Sequence, residues 1–172
     1  METFRYKEKR NHADMEPRII ELKAQKLVGL SGEMSLVENG TTALWKRFRK
    51  RVGAVNYRTS ENFISLQHYP PGYFEEFNPS NTFIKWACVT VDSFGETPSE
   101  LETMMLPGGL YAVFDYNGSS ADSQIFQYIY GEWIQNSKYR LADRPHFEVL
   151  GANYKAYDPN AEEEIWIPIH AA

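Results

Sequence analysis

The sequence predicts an α+β fold, with duplicated β-α-β-β units forming one antiparallel sheet backed by two main helices. The first reason is an internal echo of pattern: LVGLSGEM followed by TTALWKRFRKRV is matched in kind by YAVFDYNG followed by ADSQIFQYIYGEWI. The second is that each helical segment precedes two strand-like runs, FISLQHYP and TFIKWACVTV in the first half, PHFEVLG and EEEIWIPI in the second. The third is size. A chain of 172 residues can bury one substantial core, and the paired units bury together what neither half buries alone.

Residues 1–16 read as a polar leader, with Phe4 and Tyr6 as its only sizeable anchors. Residues 17–172 read as a single domain of two half-repeats, about 17–95 and about 98–170. From Pro17, RIIELKAQKLVGLSGEM is expected to form one strand ending near Met34 and bent near Gly29 and Gly32. Asn39 or Thr41 is placed to cap the next helix, TTALWKRFRKRVGAV. In it Leu44, Trp45, Phe48, Val52 and Val55 share a stripe and the basic residues take the remainder. After YRTSEN, the residues Phe63, Ser65, Gln67 and Tyr69 alternate with Ile64, Leu66 and His68 until Pro70-Pro71-Gly72 stops the strand. In the next strand Trp86, Cys88 and Thr90 share one face, Ala87, Val89 and Val91 the other.

In the second half, LETMMLPGGLYAVFDYNGS gives a strand pair or one interrupted strand, broken at Pro107-Gly108-Gly109. The helix SSADSQIFQYIYGEWIQNS puts Ile125, Ile129 and Trp133 on one line and Phe126, Tyr130 and Ile134 on its neighbour. Gly131 within it costs about 1 kcal/mol relative to alanine, which points to a close packing contact there. In PHFEVLG, Phe147 and Val149 share one face and His146, Glu148 and Leu150 the other. In EEEIWIPI, Ile165, Ile167 and Ile169 oppose Glu164 and Trp166. Paired, the last two strands are expected to bring Glu148 and Trp166 onto one surface. A carboxylate beside an indole suits something apolar with a polar or cationic handle.

Composition narrows the function. Charged residues at 24% and hydrophobic residues at 42% describe an ordered chain rather than a disordered one. A net charge of -5 is poor for holding phosphate backbone, and the basic run WKRFRKR reads as the solvent face of its helix, so direct nucleic-acid binding is not expected. The single cysteine, Cys88, allows no internal disulfide and reads as a buried thiol in a reducing compartment. No apolar leader opens the chain and no window approaches the roughly 18 apolar residues of a membrane span. The expected setting is cytoplasmic, away from any membrane. No glycine-rich phosphate loop, dinucleotide fingerprint or GxSxG elbow occurs, and His12, His68, His146 and His170 are scattered without metal-ligand spacing. No cofactor and no metal are expected.

Glu148 remains as the chemistry-bearing residue, flanked by Phe147, Val149 and Leu150. A carboxylate desolvated there has its pKa raised, which suits either attraction of a cationic aromatic compound or general acid/base work. In the run Glu162-Glu163-Glu164, Glu162 and Glu163 read as loop-end solvent residues.

The ending PHFEVLGANYKAYDPNAEEEIWIPI resembles the closing segment of the GyrI-like small-molecule-binding domain, the effector-binding domain of bacterial multidrug-responsive transcription activators. The tandem units and the HYPPG turn are similar to that family's duplicated architecture, over about residues 17–170. The resemblance implies a ligand cleft at the pseudo-two-fold seam, lined by aromatics, with Glu148 as the acidic position and Trp166 as the aromatic position of the last strand. It offers Tyr69, Trp86 and Tyr111 as further wall residues. The leader is too short for a helix-turn-helix, so a stand-alone member is expected. What the resemblance then implies first is binding or sequestration of small aromatic, cationic compounds anchored on Glu148. Two alternatives follow from the same family: a hydrolase of reactive cyclopropane-bearing compounds that uses Glu148 to activate water or protonate the leaving atom, and a protein that inhibits DNA gyrase by direct contact.

Overall fold

The computed structural model describes residues 15–172, so the expected leader, with Phe4 and Tyr6, lies almost wholly outside the described residues. In chain order the elements are β1 (Arg18–Leu22), β2 (Gln25–Ser35), α1 (Thr41–Arg49), β3 (Phe63–His68), β4 (Thr82–Val91), β5 (Glu102–Leu106) and β6 (Gly109–Asn117). There follow α2 (Gln124–Tyr128), which continues through a π-turn (Ile129–Trp133) into a last α-helical turn (Ile134–Asn136), then β7 (Tyr139–Leu141), β8 (His146–Leu150) and β9 (Glu162–Ala171). The strands form one nine-stranded antiparallel sheet in the order β1-β6-β9-β8-β3-β4-β2-β5, with β7 added on β9. That order reads alike from either end. β2, α1, β3 and β4 correspond to β6, α2, β8 and β9, and the β3–β8 pair forms the seam.

The expected single strand from Pro17 is two strands, because Leu22 pairs Gly109 in one half while Gln25 pairs Leu106 in the other. The two-residue link Lys23-Ala24 therefore has to join opposite ends of the sheet, and so does the link between β5 and β6. They cross so tightly that a Cβ on Gly108 would lie 2.7 Å from the Leu22 carbonyl oxygen and 2.9 Å from the Ala24 amide. The sheet must curl for these two short links to span it. β2 itself runs unbroken through Gly29 and Gly32. Gly29 is needed for close approach, since a Cβ there would collide with the Ala87 carbonyl and with Cys88.

The helices cover one face. Leu44 and Phe48 of α1 pack with Val28, Leu30, Val89 and Leu150, and Ile125, Ile129 and Ile134 of α2 pack with Phe114, Ile165 and Ile167. The π-turn adds a residue to that turn of α2, so the buried line passes from Ile129 to Ile134 rather than to Trp133. Gly131 lies within this turn and faces open space, against the close contact expected of it. The concave face is filled by a third cluster that includes Leu27, Leu66, Cys88, Leu106, Tyr111 and Phe147. Cys88 is fully buried there, and burial pushes its thiol up, away from the reactive thiolate.

Candidate functional site

α1 covers β2, β4 and the Phe63–Leu150 end of the seam while α2 covers β6 and β9, so the rest of the seam strands β3 and β8 runs between the helices. Cross-strand register sets Ser65 opposite Glu148 and Gln67 opposite His146, on the face that Phe63 and Leu150 share with α1. Lys85 of β4 is the neighbour of Gln67, and Glu163 of β9 is the neighbour of Leu150. Polar residues on a buried sheet face are unusual. Here Ser65, Gln67, Lys85 and His146 are all buried and all face this one strip.

Aromatic rings enclose the strip. The turn after β3, where Gly72 takes φ of 78°, brings back Tyr69, Tyr73 and Phe74. The Tyr69 ring lies 4.9 Å from His146, nearly perpendicular to it, and Phe74 forms a roof stacked on Tyr130 at 4.7 Å and on His146 at 5.2 Å. From α2 the Tyr130 hydroxyl shares a 2.7 Å hydrogen bond with His146 Nδ1. Tyr154, in the link between β8 and β9, donates its hydroxyl to Glu163 Oε2 at 2.9 Å.

Burial dominates the electrostatics. It raises the Glu148 carboxyl, against the opposing pull of Lys85 and of Gln67, whose Nε2 donates to Glu148 Oε2 at 3.1 Å. It lifts Glu163 to about 7, with the Glu148 charge adding to the effect. Burial lowers Lys85 while Glu148 and Glu163 pull it back up. His146 is pushed down to about 3, mainly by burial, and is neutral at physiological pH. Tyr69, Tyr130 and Tyr154 are raised by burial, and each also feels the Glu148 charge. The only ion pairs among the described residues are those of Arg18 with Asp115 and Glu164, so neither Glu148 nor Lys85 is in one.

Of the five residues singled out in the sequence, Glu148 and Tyr69 come together on this strip. Trp166, Tyr111 and Trp86 do not. The register pairs Phe147 with Trp166 and Glu148 with Ile165, so Glu148 and Trp166 point to opposite faces of the sheet, which corrects the shared surface expected of them. Trp166 stacks on Phe147 at 5.2 Å in the concave core, and Tyr111 meets both edge-on. Tyr111 is fully buried, with its hydroxyl donating to the Pro145 carbonyl at 3.0 Å and Arg144 over its ring. Trp86 packs on the same cluster. Sequence reasoning missed Lys85, Gln67, Tyr130, Tyr154 and His146, and it assigned Glu163 to solvent. The available signal was parity, since Lys85 interrupts an otherwise apolar face of β4 and Ser65 and Gln67 share the face of β3 that begins with Phe63. The open depression between Gly72 and Asn81 has a mostly polar lining and carries none of the seam groups. Among the described residues no group of His, Cys, Asp or Glu comes together to hold a metal ion, and no helix is long and apolar enough to cross a membrane.

A curled antiparallel sheet with two helices on one face and a polar, aromatic-walled seam between them defines a GyrI-like small-molecule-binding domain. Within that class, the chain belongs to the integron-associated effector-binding protein family, whose model matches residues 18–169. Solved structures share the fold. SAV2435 bound to tetraphenylphosphonium matches with a TM-score of 0.68 and 18% identity, over 91% of this chain and 94% of that one. The C-terminal domain of EcmrR matches with a TM-score of 0.67 and 16% identity, over 92% and 99%. An integron cassette protein from Vibrio cholerae matches with a TM-score of 0.61 and 17% identity, over 90% and 96%. No curated protein matches the sequence.

Proposed function

We propose that the chain binds small aromatic cations in the seam cleft, with Glu148 as the acidic anchor and Tyr69, Tyr130 and Tyr154 as its walls. The observation that carries this reading is the state of Glu148: a carboxyl group on the seam, held by the neutral amide of Gln67, outside any ion pair and near enough to Tyr69, Tyr130 and Tyr154 for each to feel its charge. A desolvated negative charge ringed by π-faces attracts an organic cation through both terms. The tetraphenylphosphonium bound to SAV2435 is a compound of this chemistry. Trp166, Tyr111 and Trp86 support the floor from behind in this reading.

The test is a calorimetric titration with tetraphenylphosphonium. Glu148→Gln keeps the shape and removes the charge, and it is expected to weaken binding by at least about 10-fold, of order 1.4 kcal/mol. Equal affinity in the variant would overturn the proposal. The raised Glu148 carboxyl also suits a general acid/base, which is the specific support for a hydrolase reading. That reading requires turnover of a reactive aromatic compound that collapses in Glu148→Gln while the compound still binds.

A further inference from the structure

We propose that Lys85 makes the seam cleft selective for aromatic ligands that carry an anionic group beside their cation, so that zwitterions bind in preference to simple cations. The inference rests on the reading of the cleft as an aromatic-cation site and adds its specificity. Lys85 is only 7% exposed, faces the strip beside Gln67, and takes part in no hydrogen bond or ion pair found among the described residues. A buried ammonium ordinarily has partners, because its three N–H donors lose water on folding. In this site each carboxylate is already served by a neutral donor, Glu148 by the Gln67 amide and Glu163 by the Tyr154 hydroxyl. The two carboxylates are close enough to favour the charged ammonium, yet neither closes on it.

The ionisable groups are thus divided across the floor, with the Lys85 amine on β4 and the Glu148 and Glu163 carboxyls on β8 and β9. The remaining groups above them add no charge, since His146 is held neutral and Tyr69 and Tyr130 are raised. A simple cation entering this space meets two attractive groups and one repulsive one. A ligand with a carboxylate or sulfonate displaced from its cationic ring satisfies the Lys85 donors as well, and turns the repulsion into a contact.

A matched pair of probes tests this: an N-methylquinolinium ring bearing a carboxylate, and its methyl ester, which is a simple cation of nearly the same shape. Calorimetry at about pH 8, on the full chain, is expected to show the inner salt binding about 10-fold tighter than the ester. Lys85→Met is expected to abolish or invert that preference, with Lys85→Gln as a second variant and circular dichroism as the check on folding. Equal or tighter binding of the ester by the wild type overturns the inference, whatever the variants do, and so does a preference that survives in a folded Lys85 variant. If the ester alone binds and Glu148→Gln removes it, the cation site stands and only the role of Lys85 falls. If neither probe binds, both readings fall.

Discussion

Raising the pH from about 6 to about 8 is expected to tighten the binding of tetraphenylphosphonium, and Glu163 is the residue that sets the window. β9 carries this carboxyl to the seam near Glu148, where burial and the neighbouring charge lift it to about 7. It is then about one-tenth ionised at pH 6 and about nine-tenths ionised at pH 8, so a cation that binds the ionised form gains roughly 10-fold in affinity across that interval. The cause is a change in net site charge. Loss of the Glu163 proton adds one negative charge to the seam that also holds Lys85 and Glu148. His146, held near 3, does not titrate in this range and adds no opposing trend. The assay is a calorimetric titration at several pH values and constant ionic strength, repeated with Glu163→Gln. The wild-type slope should flatten in the variant. A flat wild-type profile, or the same slope with and without Glu163, would refute the assignment.

Three further outcomes follow from the same geometry. Glu163 has a folded-state pKa above its unfolded one, so the stability it contributes is present below about pH 4.5 and is lost as the pH rises through about 7. Glu163→Gln should therefore stabilise the protein by about 2–3 kcal/mol at pH 8 and by little at pH 4, read from urea unfolding. Trp166→Phe should leave cation affinity within about twofold, since the indole lies behind the sheet, and should lower the unfolding free energy by about 1 kcal/mol through the lost stack on Phe147; a large loss of affinity would return Trp166 to the ligand wall. Gly29→Ala places a methyl group against the Ala87 carbonyl and the Cys88 side chain, and is expected to cost at least about 3 kcal/mol in thermal unfolding; a near-neutral effect would mean that β2 and β4 can separate there.

Much of the fold was legible because its signals are local. The alternation in FISLQH and TFIKWACVTV marked β3 and β4 by side-chain period alone, and the stripes containing Leu44 and Phe48, and Ile125 and Ile129, marked the helices. Failures came where a local pattern was decided elsewhere. The break at Lys23-Ala24 has no proline or glycine in it, and exists because β1 and β2 pair with opposite ends of the sheet. The π-turn that brings Ile134 into the core is one inserted residue, invisible to a constant helical period. The short strand β7 lacks alternation long enough to register and is held by its pairing with β9.

The sequence by itself determined the duplicated architecture, the parity within each strand and the isolation of Glu148 as a carboxylate in apolar company, all of which depend on residues a few positions apart. Only the tertiary structure decided which faces coincide. Parity says that Glu148 opposes Phe147 and that Trp166 opposes Ile165, but which of these pairs meet is a matter of register, and a shift by one residue exchanges every side chain between faces. Register is fixed by hydrogen bonding and packing between distant segments, here β8 against both β3 and β9. That long-range choice sends Trp166 to the concave core and gathers Glu148, Glu163, Lys85 and the tyrosines at the seam.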